Sequence, residues 1–480
     1  MILGCIADDF TGATDLANNL VRAGMRVVQT IGVPTTPAEA AGLGDVDAVV
    51  VALKSRTAPV EEAVAQSLAA CRWLRAGGAQ QIYFKVCSTF DSTPAGNIGP
   101  VAQALMAYLG AEAAAASSSA GSGAGSGAEP DPGHSAGPEP RVTDFAIVTP
   151  AFPENGRTVF KGHLFVGDVL LSDSPMRHHP LTPMTDASLV RVMQAQLSHG
   201  ARCGLIEHRT VARGVAAVSE RIAALRAEGV GFAVADAVGD ADLHVLAQAS
   251  SRLALVVAGS GLAIGIPALH GLVPRPEAAA LPKATGSCAV VSGSCSAATN
   301  TQVADFIAHA AGANRGSNGD SDGGSNGGAN GGADRAFAVD PLRLAAGEDV
   351  AAQALAWAVP RLADGPVLVY ATAAPEAVKA VQAQLGVERA GALVEQALAR
   401  VAQGLVAAGV GRLLVAGGET SGACVQALGV DTLRIGPQID PGVPWCHATP
   451  PTRAQGLHLA LKSGNFGGVD FFTRAFEVLD

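Results

Sequence analysis

The chain alternates short apolar runs with helix-patterned segments, and the apolar runs end on polar or charged residues. The rhythm begins at once. In ILGCIADDFTGATDLANNLVRAG, residues Ile2 to Gly24, the run Ile2 to Ala7 reads as a buried strand that ends on Asp8 and Asp9. Thr11, Gly12 and Thr14 follow, and then a helix carrying Leu16, Leu20 and Val21 on one face. Further strands read at Arg26 to Ile31, Asp47 to Leu53, Gln81 to Val86 and Asp144 to Thr149, with helices at Val60 to Leu74 and Asn97 to Leu109. Such alternation predicts a parallel sheet with helical crossovers. In open sheets of that kind, ligands gather at the carboxyl ends of the strands.

Those ends carry the first candidate site. Asp8 and Asp9 follow the first strand. Lys54 and Arg56 follow the third. Lys85, Ser88, Asp91, Ser92 and Thr93 end or follow the fourth. If the strands are parallel neighbours, all of these groups face one crevice. Mixed charges with hydroxyl groups suit a small polyhydroxy acid: Arg and Lys hold its carboxylate, Asp accepts from its hydroxyls, and one Asp serves as general base. Each residue has a plainer reading as well. Asp8 or Asp9 is a good helix cap, and the three cations suit solvated strand ends.

Two stretches break the rhythm. Ala113 to Pro140 and Gly312 to Asp334 are low in complexity and lack core-forming residues, so both read as disordered inserts. The long polar passage Pro150 to Asp186, with Arg157, Lys161, His163, Asp168, Arg177, His178 and His179, reads as a functional loop or an excursion over a cleft. Beyond it, strands are expected at Cys203 to Ile206, Gly231 to Ala235 and Leu253 to Ala258. Pro267 to Lys283, rich in Pro and Ala, marks a domain hinge. A second α/β unit then opens with a strand at Ala289 to Ser292. It continues with helices at Val350 to Trp357 and Arg389 to Ala408, and with strands at Val367 to Tyr370, Arg412 to Val415, Leu433 to Ile435 and Leu457 to Leu461. The expected architecture is α/β: two α/β domains, residues 1–275 and 285–480, with mainly parallel sheets and a cleft between them.

In the second domain three strands run into turns of small residues: Ser292 to Asn300 (SGSCSAATN), Gly417 to Gly422 (GGETSG) and Lys462 to Gly468 (KSGNFGG). Small residues let backbone N–H groups approach an anion, and a helix start adds its positive end. Singly each is an ordinary tight turn. Together they suggest a phosphate cradle, with Ser292, Ser294, Ser296, Gly417, Gly418, Glu419, Thr420, Ser421, Gly422, Gly464 and Gly467 as candidate ATP-binding residues.

Composition narrows the field. At 480 residues the chain holds at least two full cores. A formal charge of −10 speaks against a nucleic-acid partner. The eight cysteines form no CxxC pair. No run of about 20 apolar residues offers a membrane span, and no signal peptide is evident, so a cytoplasmic location is expected. No P-loop or protein-kinase signature occurs. GSGLAIG, at Gly259 to Gly265, is one residue off a dinucleotide fingerprint. His178 and His179 lack a partner at helical spacing, and the metal ligands stay unknown.

The runs ADDFTGATDLANNL, ALKSRT, FKVCSTFDSTPAGNIGP, TPAFPENGRTVFKGHLFVGDVLL, MRHHPLTPMTD, SGSCSAATNTQV, GGETSG and LKSGNFGG together resemble the four-carbon acid sugar kinases. Among these the chain looks most like the 3-oxo-tetronate 4-kinases. The resemblance implies a sugar-acid-binding N-terminal domain, an ATP-binding C-terminal domain, and Mg²⁺-assisted transfer of the γ-phosphoryl group to the C4 hydroxyl. Lys54, Arg56 and the segment from Lys85 to Asp91 would then hold the substrate, Asp8 or Asp9 would orient or deprotonate the hydroxyl, and the glycine turns would hold ATP. D-threonate and D-erythronate kinases are the neighbouring alternatives. From other classes, an NAD-dependent hydroxy-acid oxidoreductase and a non-catalytic sugar-acid-binding protein stay open. The sequence is compatible with a homo-oligomer.

Overall fold

The computed structural model describes residues 1–37, 46–121, 141–179, 182–198, 200–316 and 335–479. These form two compact units, Met1–Ala278 and Ala279–Asp480.

In the first unit the strands are β1 (Leu3–Ala7), β2 (Val27–Ile31), β3 (Ala48–Ala52), β4 (Gln81–Lys85), β5 (Val142–Thr149), β6 (Arg157–Phe160), β7 (His163–Val166), β8 (Val169–Leu170), β9 (Cys203–Ile206), β10 (Phe232–Ala235) and β11 (Leu253–Ala258). Eight of them make one sheet in the order β2-β3-β1-β4-β11-β5-β10-β9, and every pairing is parallel. Strands β1, β3, β4 and β11 are buried at every position. Helices cover both faces, so these strands read as continuous apolar runs. The register puts Ala7 beside both Ala52 and Lys85, and Ala258 beside Lys85. The residues after β1, β3 and β4 therefore emerge side by side.

The passage from Pro150 to Asp186 is more ordered than its composition suggests. Strands β6, β7 and β8 pair antiparallel in a small sheet of their own, followed by short 3₁₀ turns at Leu171–Asp173 and Pro175–His178. One buried carboxylate ties it down. Asp236, just past β10, accepts from the N–H groups of Lys161 at 2.7 Å, Gly162 at 2.8 Å and His208 at 2.9 Å. Lys161 holds a φ of 49°, a left-handed turn that non-glycine residues adopt only under such constraint.

The helix read at Asn97 to Leu109 spans Ile98–Gly121. The opening part of the stretch taken as a disordered insert is thus helical. Its alanines are strong helix formers, and they continue a turn pattern already begun. Likewise the helix Ala297–Gly316 runs into the start of the second expected insert. The remainders, 122–140 and 317–334, lie outside the described residues.

The second unit holds β12 (Ser287–Ser292), β13 (Ala336–Ala338), β14 (Val367–Tyr370), β15 (Val410–Ala416), β16 (Thr432–Asp440), β17 (Val443–Ala448) and β18 (Leu457–Lys462), in the order β13-β14-β12-β15-β18-β17-β16. The first five are parallel, while β17 runs antiparallel to both neighbours. Trp445 on β17 is fully buried, donates its indole N–H to the Ala475 carbonyl at 2.8 Å and packs on Phe476. Its unit's C-terminal turns are thereby anchored to the core.

Replacing Asp236 with Ala leaves three buried or half-buried backbone N–H groups without their acceptor. The expected loss is about 3 kcal/mol, read as a lowered urea midpoint for the first unit. An unchanged midpoint would mean that β6–β8 hold their place without this carboxylate.

Candidate active site

The ends of β1, β3 and β4 build an ion cluster around Arg56. Asp9 caps the helix Phe10–Arg22, accepting from the Gly12 N–H at 3.0 Å and from the Thr11 hydroxyl at 3.1 Å. The capping reading of that residue holds. It also meets Arg56 at 2.8 Å. Asp8, 4% exposed, faces Arg56 with both oxygens, at 3.0 Å from Nε and 2.9 Å from Nη2. Asp91 approaches Nη1 at 3.5 Å and accepts from the Thr89 hydroxyl at 2.6 Å. The guanidinium expected to hold a substrate carboxylate is thus already surrounded by three aspartates.

Electrostatics separates the two adjacent acids. Burial pushes the Asp8 carboxyl up, and Arg56 and Lys85 only partly counter it. Burial acts on Asp9 too, but Arg56, Lys85 and the Thr11 and Gly12 donors outweigh it and hold Asp9 below the usual carboxylate range. A protein that keeps one acid easy to protonate beside another kept ionised can assign them different work.

Lys85 is 2% exposed. Among the described residues its ammonium makes neither a hydrogen bond nor an ion pair. A third acid stands near it. Asp15, on the buried face of the first helix, accepts from the Ser260 hydroxyl at 2.5 Å, while its other oxygen has no partner. Burial pushes Asp15 up to about 6, against the pull of Lys85. Ser260 belongs to GSGLAIG. That stretch forms a short 3₁₀ turn, Gly261–Gly265, in contact with the first helix rather than a dinucleotide loop.

Two amides hold the loops in place. Asn97 donates to the carbonyls of Ser55, Arg56 and Ala58 at 2.8, 3.3 and 2.8 Å. Gln196 donates to Ser92 Oγ at 2.8 Å and the Thr93 carbonyl at 2.6 Å, and accepts from the Gly99 N–H at 2.8 Å. Between them Phe90, fully buried, adopts a φ of 51°. A small concavity opens here, lined by Asp8, Arg56, Asp91, Ser92 and Asn97 among others. Ser88 is buried on the same loop. Lys54 is exposed just past the end of β3. Asp15, Asn97 and Gln196 were not singled out from the sequence.

In the second unit the three small-residue turns come together. The Gly417 N–H donates to the Lys462 carbonyl at 2.8 Å. A Cβ on Gly464 would stand 2.7 Å from Ser294 Oγ, and one on Gly417 would stand 3.1 Å from the Ser294 nitrogen. The helix Gly418–Ala427 starts at Gly417, whose φ of 119° suits glycine, with no side chain capping its first turn. Gly418 and Glu419 are exposed there, while Thr420, Ser421 and Gly422 are buried beneath. Ser292 is also buried, its hydroxyl 2.7 Å from that of Thr372. Ser296 caps the helix that follows it by accepting from the Thr299 N–H at 3.2 Å. Gly467, at a φ of 86°, closes the last turn. His178 and His179 lie on the β6–β8 excursion, where His179 Nδ1 accepts from the Thr182 N–H at 3.1 Å. Among the described residues no three His, Cys, Asp or Glu side chains gather as a metal cage.

Two family models match this chain: a sugar-binding N-terminal domain over residues 3–266 and a nucleotide-binding C-terminal domain over residues 289–472. Curated relatives named 3-oxo-tetronate kinase include those of Cupriavidus necator (55% identical), Burkholderia multivorans (54%) and Pseudomonas fluorescens (53%). Each aligns over 100% of this chain and 97% of its own length. Among solved structures, a Salmonella typhimurium LT2 protein superposes with a TM-score of 0.76 at 40% identity, covering 98% of both chains. A Haemophilus influenzae protein of the family DUF1537 superposes at 0.71 and 41% identity, covering 99% of this chain and 100% of that one. These two matched domains and the kinase relatives define a two-domain kinase; the strand-end acid cluster and the glycine-lined turns each lie within one matched domain. The chain belongs to the four-carbon acid sugar kinase family, and the oxidoreductase and binding-protein alternatives fall away.

The state of Asp15 has a measurable signature. In the unfolded chain it loses its proton near pH 4, in the folded chain near 6. Stability therefore falls as pH climbs through that window, by at most about 3 kcal/mol. Asp15→Asn lacks this loss, so in paired thermal melts the variant should gain on the wild type between pH 4 and pH 6.5. A constant gap over that range would place the ionisation elsewhere.

Proposed function

We propose that this chain transfers the γ-phosphoryl group of ATP to the terminal C4 hydroxyl of 3-oxo-tetronate, yielding the 4-phosphate. The observation that carries the reading is Lys85: a buried ammonium with no hydrogen bond or ion pair among the described residues, at the end of a strand whose neighbours contribute Asp8, Asp9 and Arg56. A cation so placed suits the carboxylate of a small acid, since desolvation strengthens the pairing. The names of the 52–55% identical relatives support the four-carbon oxo acid as substrate.

In this scheme Arg56 is a strut rather than the carboxylate clamp. Its bonds to three aspartates fix their oxygens around the substrate hydroxyls. Asp8, kept by burial as the more basic of the adjacent pair, takes the proton of the attacking C4 hydroxyl. Ser88 and Ser92 offer hydroxyls to the polyol. The turns at 292–296, 417–422 and 464–467 hold the ATP phosphates through backbone N–H groups and the uncapped helix start. Mg²⁺ bound with the nucleotide would neutralise phosphate charge. The chain's own contribution is positioning and a preorganised field.

ADP release measured with 3-oxo-tetronate, D-threonate and D-erythronate, with and without Mg²⁺, tests the assignment. Turnover should be highest on the oxo acid and should require the metal; preference for either aldonate would replace the substrate. Asp8→Asn should cut turnover by roughly a hundredfold or more with ATP affinity nearly unchanged. Turnover within a fewfold of wild type would remove Asp8 as the base.

A further inference from the structure

Lys462 ends β18 as Lys85 ends β4, and it too is fully buried. Its surroundings are of another kind. No carboxylate pairs with it. Nζ donates instead to Thr299 Oγ1 at 3.0 Å and to the carbonyls of Ser463, Gly464 and Phe466, each at 3.1 Å. An ammonium has three hydrogens for these four acceptors. The loop therefore solvates the charge much as water would.

That choice decides which way the loop faces. Gln302 Nε2 collects the carbonyls of Phe466, Gly467 and Gly468 at 3.0, 3.0 and 2.9 Å. Ser296 and Thr299 donate their hydroxyls to the Gly464 carbonyl. Nearly every carbonyl from 463 to 468 is thus turned inward. The Phe466 and Gly468 N–H groups are spent on the Ser463 carbonyl and on Asp440. Those of Gly464, Asn465 and Gly467 find no acceptor among the described residues. Successive N–H groups left free in a glycine turn form an anion-binding concavity, here pressed against Ser294 and the turn at 417.

We propose that Lys462 is the positioning residue of the nucleotide site: its ammonium draws the carbonyls of loop 463–468 inward, which turns the loop's N–H groups out as a nest for the donor's phosphates and sets a positive charge behind them. The inference rests on the nucleotide-binding reading of the second unit and names the group that makes it work. Burial pulls Lys462 down to about 7. The charged and titratable groups on the elements around it are engaged elsewhere or carry no pairing to it. Asp305 meets His309, and Asp440 and Asp470 meet Arg474. Glu419 and Cys295 stand on the two neighbouring turns. Burial and the four acceptors pull in opposite directions, so the free protein releases the proton readily at alkaline pH, and a bound polyphosphate holds it in place. Nucleotide binding and proton uptake are then coupled.

Calorimetric titration of the full chain with MgATP, in buffers of different ionisation enthalpy, measures that uptake. The wild type should take up about one proton per nucleotide at pH 8 and progressively less as pH falls below 7. Lys462→Met should show no uptake and a KM for ATP raised about tenfold or more, with the KM for the sugar acid kept. Binding in the wild type without uptake at pH 8 overturns the inference while leaving the nucleotide site in place. So does a Lys462→Met protein that keeps both affinity and uptake. Absence of any MgATP binding by the wild type overturns the nucleotide reading itself. The wild-type measurement stands alone should the variant fail to fold.

Discussion

A charged side chain at the end of a fully buried strand is the constraint on which this structure turns. Removing an ammonium or a guanidinium from water costs several kcal/mol unless something replaces the hydration. The protein meets that cost in three ways. Arg56 is matched by three aspartates. Lys462 is wrapped in carbonyls. Lys85 stands in the field of three acids with no hydrogen bond or ion pair among the described residues. The first two charges shape the chain, and under the proposed function the third is matched by the substrate's anion.

Parallel register is what makes the arrangement cheap to specify. With Ala7, Ala52 and Lys85 level across β3, β1 and β4, residues far apart in sequence leave the sheet at one edge. No long-range device is needed to bring Asp8 to Arg56 beyond the pairing of apolar strands. The loops beyond that edge do need fixing, and the amides of Asn97 and Gln196 supply it by bonding to backbone carbonyls, which any sequence offers.

Most of the strand order of events was legible in the sequence because buried parallel strands are written as unbroken apolar runs. Strands β13 and β17 escaped notice: one is short and the other is interrupted by Pro444 and His447. The excursion from Pro150 to Asp186 looked like open loop because its order comes from Asp236, which lies far along the chain. Charge at three strand ends was visible as a pattern, yet the partners of each charge were not. Arg56 read as a free cation since nothing in a sequence says that three aspartates will converge on it. The glycines of KSGNFGG drew attention ahead of Lys462, although a lysine closing the apolar run HLAL repeats the signal of the lysine closing QIYF.

Phe90 carries a consequence for how such an enzyme can change. Its left-handed backbone, in a residue with a full side chain, stores on the order of 1–2 kcal/mol, and complete burial of the ring keeps it there. The turn from Ser88 to Ser92 is therefore a cast rather than a hinge: under the proposed function its shape is set before the acid binds. Under the proposed function, new substrate preferences on this scaffold come more readily from exchanging the groups the cast displays than from reshaping the cast.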